Sequence, residues 1–447
     1  LSAHDGLSRN TIYPCFEGTA MNRRTFLKSS GLAMVALGAS GTPLFLTRAA
    51  ASTLEMPFKR KKILVTIFQR GAMDGLMAVT PFTDPNLAQA RPRLAMQVGK
   101  TKGQLIDLDG KFALHPSLTA LERLYREQRL SIVHGMGSPS TTRSHFDAQD
   151  YMETGTPDRK GTASGWLNRA STLLHATTPK GDTTPFRSVA MTSAMPRSLY
   201  GDAPALAIAR LDDFGVRVGG GNNAATMALA NTSSKGFESL YEQTSQKILR
   251  GTGQDSFDAM KILSEANLKS YTPAKDVRYP TSPLGDSMKQ IAQLIKANVG
   301  LEIAFAESGG WDTHVQQGTV NGAFSRRAQD LAESIEAFWR DIELHQDDVV
   351  LMTMTEFGRT VRENGSGGTD HGRASCLFVL GNHIDGGKVH GNVPLLLPEN
   401  LADGRDVPVT TDFRAIFSEV SAGHLGITDS TKLFPGWSGE RIALVKG

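Results

Sequence analysis

Lys62-Ile63-Leu64-Val65-Thr66-Ile67-Phe68 runs directly into Gln69-Arg70-Gly71-Ala72-Met73-Asp74-Gly75. Ile63–Phe68 is apolar or β-branched with no polar alternation, the pattern of a strand buried on both faces. A glycine-rich loop carrying an aspartate follows. The arrangement recurs along the chain. Leu130–His134 precedes Gly135–His145, Leu301–Phe305 precedes Glu307–His314, and Val349–Thr355 precedes Glu356–His371. Helical patterns lie between these runs, at Ser117–Gln128, Met288–Asn298 and Ala323–Leu344. Strands alternating with helices predict an α/β fold, a mostly parallel central sheet with helices on both faces. Such sheets bind ligands beyond the carboxyl ends of their strands. The loops that follow the strands are therefore where chemistry is expected.

Two of those loops carry metal-ligand chemistry. Gly309-Gly310-Trp311-Asp312-Thr313-His314 and Gly368-Thr369-Asp370-His371-Gly372 each set a carboxylate near an imidazole among glycines. Carboxylate oxygens and neutral imidazole nitrogens are usual ligands of zinc, manganese and related divalent ions. Glycine lets the backbone turn sharply, so neighbouring side chains can converge. Asp312, His314, Asp370 and His371 are the leading metal candidates, and His390 in Lys388-Val389-His390-Gly391 is a further one. A lone histidine by a glycine turn also serves as a plain hydrogen-bonding group. Asp74 could ligate a metal at the end of its strand, or simply form an Asp-Gly turn.

Thr141-Thr142-Arg143-Ser144-His145-Phe146-Asp147 opens a helix expected to run to Glu153. Ser144 reads as a nucleophile at a helix start. It reads equally as an N-cap, with Asp147 three residues on. Arg143 could grip an anionic substrate group or be a surface charge. Glu356 and Arg359 could support ligands or form a structural ion pair.

The 447 residues are 40% hydrophobic and 21% charged, a globular composition. The net charge of +3 arises in residues 1–51, where five basic residues outnumber two acidic ones. The rest is balanced and shows no basic stripe with interleaved aromatics, which argues against a nucleic-acid partner. Arg23-Arg24-Thr25-Phe26-Leu27-Lys28, an apolar run from Gly31 to Leu46 and Arg48-Ala49-Ala50-Ala51-Ser52 read as a twin-arginine signal peptide with a cleavage site. Residues 1–20 read as an upstream extension, with Met21 as the start. The run is too short and polar for a membrane span. The expectation is export to the periplasm or beyond through the twin-arginine translocase, with no stable span in the mature chain. Cys15 falls in the extension, so the exported chain keeps only Cys376, read as a buried strand residue that cannot form an internal disulfide. Residues 52–447 are expected to form one domain. Within it, residues 170–285 are small, polar and glycine-rich, as in Gly219-Gly220-Gly221-Asn222-Asn223, and read as an insertion or cap.

Read in order, Asp74, Ser144, Asp312 with His314, Asp370-His371 and His390 resemble the alkaline phosphatase superfamily, which includes phosphatases, sulfatases and cofactor-independent phosphoglycerate mutases. More closely, the exported chain resembles the domain-of-unknown-function family 1501. The motifs that carry this are Arg70–Leu76, Phe112-Ala113-Leu114-His115-Pro116, Arg143–Glu153, Gly310–His314, Thr355–Thr360, Gly368–Gly372 and Val409-Thr410-Thr411-Asp412-Phe413. The resemblance implies an alkaline-phosphatase-like fold with one or two divalent ions, zinc or manganese. Asp312, His314 and His390 would hold one ion and Asp74, Asp370 and His371 the other, with Ser144 between them. The implied activity is hydrolysis of a phosphate or sulfate ester, small or polymeric. The alternative is an exported envelope or scaffold protein that keeps the fold without catalysis. Asp312 and His314 are one residue apart, where the superfamily usually has three between them.

Overall fold

The computed structural model describes residues 60–178, 184–213, 262 and 271–446. The expected signal peptide, Cys15 and the middle of the expected insertion lie outside the described residues. The strands, in chain order, are β1 (Ile63–Arg70), β2 (Val79–Thr80), β3 (Ile106–Asp107), β4 (Ala113–Leu114), β5 (Leu130–Gly137), β6 (Ser188–Ala190), β7 (Leu206–Ala207), β8 (Ile303–Gly309), β9 (Val349–Met354), β10 (Arg359–Glu363), β11 (Thr369–His371), β12 (Ser375–Leu380), β13 (Val389–His390) and β14 (Thr411–Asp412). The helices of eight residues or more are α1 (Thr119–Arg126), α2 (His145–Thr154), α3 (Trp166–Thr177), α4 (Pro283–Lys296), α5 (Ala323–Asp341) and α6 (Phe413–Leu425).

The central sheet has the order β13-β5-β12-β9-β1-β8-β6-β7, with β14 also on β5. β1 lies in its middle, parallel to β8 on one side and β9 on the other. β12 alone runs antiparallel, against both β5 and β9. Successive side chains of a strand point to opposite faces, and β1 shows what that does. Ile63, Val65 and Ile67 enter one hydrophobic cluster with residues of α1, α4 and α5. Leu64 and Phe68 enter another with residues of α3 and α6. Two-sided burial explains why β1 reads as an unbroken apolar run. Each such side chain contributes about 1.5–3 kcal/mol by leaving water.

The helices start and stop by local chemistry. Ser282 accepts a hydrogen bond from Gly285 N to cap α4, with Pro283 at the first position. Asp412 caps α6 through Arg414 N, and Gly426 ends it at φ 73°. The expected insertion at 170–285 joins the sheet where it is described: β6 pairs parallel with β8, and β7 with β6. No described helix is long and apolar enough to cross a membrane.

The loops after β1, β5, β8 and β9 emerge at one end of the sheet. The chain after β9 folds into a two-stranded antiparallel ribbon, β10 with β11, which sets His371 opposite Arg359. Gly368 lets this ribbon approach the β8 loop: a Cβ there would lie 2.3 Å from the carbonyl oxygens of Thr313 and His314. Gly71 has φ 113°, and a Cβ on it would lie 2.5 Å from Asp312 N. Both glycines hold separate loops in contact.

Candidate metal centre

Three imidazoles and one carboxylate meet at the end of the sheet. Nε2 of His371 lies 3.0 Å from Nε2 of His145 and 2.9 Å from Nε2 of His314. Asp312 Oδ1 lies 3.0 Å from Nε2 of His314 and 3.3 Å from that of His371. Asp312 Oδ2 lies 3.4 Å from Nε2 of His145. Ligand atoms of His145, Asp312 and His371 all fall within 4.8 Å of one another. Tetrahedral zinc with bonds of about 2.0–2.1 Å separates its ligand atoms by roughly 3.3 Å, so this spacing fits a metal.

The far side of each ring settles its tautomer. His371 Nδ1 lies 2.8 Å from the carbonyl oxygen of Arg143. A carbonyl only accepts, so Nδ1 carries the hydrogen and Nε2 its lone pair when the ring is neutral. His145 Nδ1 is 2.8 Å from Glu356 Oε1, and His314 Nδ1 is 2.8 Å from Asp370 Oδ1. Each carboxylate accepts a hydrogen from Nδ1, and Nε2 of His314 also faces the Asp312 carboxylate at 3.0 Å. Nε2 of His371 thus faces the lone pairs of both His145 and His314 near 3 Å, which repels unless a proton or a cation sits among them. One proton on His371 Nε2 can do this by charging that ring, and one divalent ion can do it with all three rings neutral. Acceptors behind the ligand histidines are also the usual support of metal sites.

Charge is arranged around the cluster. Burial pushes the Asp312 carboxyl up, but the Arg359 guanidinium, 2.6 Å away, holds it below the usual range with help from His314 and His145. Burial likewise opposes ionisation of Glu356, but hydrogen bonds from His145, Gln149 and Gly71 N keep it ionised. The hydrogen bond to Glu356 raises the pKa of His145 against the effect of burial. Burial lowers that of His371, helped by neighbouring His145 and Arg359 and opposed by the Arg143 carbonyl. Hydrogen bonds from His314 and Asn364 hold Asp370 down.

The structure brings Asp312, His314, Asp370 and His371 together from loops far apart in sequence. Asp370 stands behind His314 rather than beside the three nitrogens. Two candidates fall elsewhere. Asp74 is 1% exposed. It receives Arg91 Nη1 at 2.8 Å and Nη2 at 3.1 Å, Gln317 Nε2 at 2.7 Å and Met77 N at 3.2 Å. Its oxygens are committed, and it caps the short helix Gly75–Ala78. The His390 ring faces the Asp385 carbonyl from the two-residue strand β13. Ser144 is the exposed N-cap residue of α2, and its hydroxyl makes no capping bond. The Arg143 guanidinium is engaged by Asp403 at 2.6 Å and Asp406 at 2.5 Å. Cys376 is a buried free cysteine on β12, as its apolar surroundings suggest.

His145 was not singled out from sequence. It follows Ser144, the residue that reads as a cap or a nucleophile. The usable signal was its position at the start of the helix after β5, at the same sheet end as the other pairs.

The fold and cluster define an α/β protein with a histidine–carboxylate centre at its strand ends. Residues 61–435 match the family described as "Protein of unknown function (DUF1501)", and the chain belongs to it. No curated protein matches the chain. Among solved structures it is similar to the C-terminal periplasmic domain of EcEptC from Escherichia coli, in complex with Zn. That match has 8% identity over 73% of this chain and 74% of that one, with a TM-score of 0.34. It is also similar to alkaline phosphatase from the Antarctic bacterium TAB5, at 12% identity over 73% and 93% of the two chains and a TM-score of 0.28. A third is phosphonate monoester hydrolase of Agrobacterium radiobacter, at 11% identity over 86% and 79% and a TM-score of 0.31. These likenesses are distant.

Proposed function

We propose that this protein is an exported, metal-dependent hydrolase of phosphate or sulfate esters. The observation that carries the reading is the close grouping of His145, Asp312 and His371, with His314 against the last two and each ring held from behind by an acceptor. His145, His371 and Asp312 would hold one divalent ion, zinc or manganese, with His314 beside them. Such an ion supplies polarisation of an ester oxygen and a lowered nucleophile pKa. The residues supply the rest. Arg359 fixes the Asp312 carboxylate and keeps it charged. Glu356, Asp370 and the Arg143 carbonyl hold the rings in one tautomer. Ser144, exposed and immediately before His145, offers a hydroxyl at the N-terminus of α2, where an anion is favoured. The ester class rests on the order of these residues along the chain and on that helix terminus. Export rests on Arg23 and Arg24. Replacing both with lysine should trap the protein in the cytoplasm, and normal export of that variant would refute the assignment.

The decisive experiment is metal analysis of the purified protein together with a panel of phosphate and sulfate esters. One equivalent of metal and turnover of at least one ester are expected. Protein without stoichiometric metal after zinc or manganese loading would favour a non-catalytic scaffold. Ser144→Ala then tests the nucleophile. With no capping bond to lose, stability should change by less than about 0.5 kcal/mol. Turnover should fall by orders of magnitude with metal content intact. Normal turnover would show that Ser144 is not the nucleophile.

A further inference from the structure

Next to the centre lies a cavity of about 450 Å³. That volume is within the roughly 300–1,000 Å³ of small-molecule sites, and far larger than a phosphate group needs. Its wall toward the centre is polar. Asp370 lines it and accepts from His314 Nδ1 at 2.8 Å. Asn364 lines it and donates to the His314 carbonyl at 2.9 Å. Arg405 lines it and donates to the His371 carbonyl at 3.0 Å. One imidazole ring therefore separates the cavity from the converging nitrogens. Its apolar lining is Ala90, Val361, Leu396, Leu397, Pro398 and Leu401, interspersed with Asn86, Gln89, Thr360, Arg362 and Glu363.

These walls are built, not incidental. Asp84, buried, accepts from Leu396 N at 2.6 Å and from Asn86 N at 2.9 Å, which ties the two apolar segments together. Arg91, also buried, donates to the carbonyls of Thr360 and Val361, each at 2.8 Å. Glu363 accepts from Arg93 N and Leu94 N, each at 3.0 Å. A preformed recess with an apolar floor and a polar edge on a reactive centre is how proteins hold the non-reacting part of a ligand.

We infer that this cavity holds the organic group of the substrate, and that the substrate is a monoester of an apolar alkyl or aryl alcohol. The inference rests on the ester-hydrolase reading. It is tested with phosphonates, which pair the anion with an organic group and are not hydrolysed. Calorimetry on zinc-loaded protein compares methylphosphonate with benzylphosphonate. Two variants disturb the floor: Ala90→Phe fills it and Leu397→Asp makes it polar. Neither residue belongs to the metal centre, and thermal melts confirm folding. Benzylphosphonate should bind at least about tenfold more tightly than methylphosphonate, as burying several apolar carbons implies. Both variants should erase that preference while leaving methylphosphonate affinity unchanged. Equal binding of the two compounds, or a preference that survives both variants, overturns the inference. The two failures separate cleanly. Esters turned over without size preference would refute the cavity's role, and aryl preference without turnover of any ester would refute the hydrolase.

Discussion

Asp74 illustrates how a side chain's partners decide its role. As an aspartate at a strand end it had the chemistry of a ligand, yet its oxygens go to Arg91, Gln317 and Met77 N. Gln317 Oε1 in turn accepts from Thr313 and Thr369, each at 2.8 Å. The buried pair thus braces both loops that carry the centre. Removing one partner of a buried ion pair strands the other, at a cost of about 3–5 kcal/mol. Asp74→Ala should lose that much stability in urea titrations yet bind one metal ion at saturating zinc. Loss of metal from folded, zinc-saturated variant protein would instead return Asp74 to the ligand set. Sequence alone singled out Asp312, His314, Asp370 and His371, which the fold brings together, because Asp and His among glycines are readable without a structure. It could not show that Asp370 would stand behind His314. That depends on the register placing His371 opposite Arg359, and registers between distant segments leave no trace in a single sequence.

At the scale of elements, the ribbon β10–β11 is the part that delivers chemistry to the sheet. Its approach to the β8 loop depends on Gly368, where a Cβ would lie 2.3 Å from two backbone oxygens that have no flexible end to yield. Gly368→Ala should therefore push the ribbon away and shift His371. Zinc affinity is expected to fall 10-fold or more, the size seen when ligand support is lost, with the far-UV circular dichroism unchanged. Wild-type affinity in this variant would mean that the close approach does not matter to the centre. β1, β5, β8 and β9 were legible because two-sided burial leaves uninterrupted apolar runs. β6 and β7 were not. With three and two residues in polar, small-residue surroundings, β6 forms on the edge that β8 offers and β7 on the edge of β6.

For the molecule as a whole, three buried histidines make stability sensitive to acid. Burial lowers the pKa of His115, His134 and His424 to about 4 each, below the ordinary 6.5. Each stays neutral in the folded protein while the unfolded chain takes up a proton. Their stabilising effect is complete above pH 6.5 and is lost as pH falls toward 4. Each contributes a slope of roughly 1.4 kcal/mol per pH unit across that window. Melting temperature should drop steeply between pH 6.5 and 4, and His424→Asn should flatten the fall. An unchanged slope in that variant would show that His424 does not titrate on unfolding. The lone described thiol gives the same folded state a clock. Cys376 is 0% exposed on β12, and burial raises its pKa with help from Asp74. A dye that attacks only thiolates can reach it only when the sheet comes apart. In a Cys15→Ser protein, each labelled molecule would therefore record one opening event. A metal bound to the native state makes such events rarer by mass action. Chelation should quicken labelling, and identical rates with and without chelator would mean that metal and sheet do not share one cooperative unit.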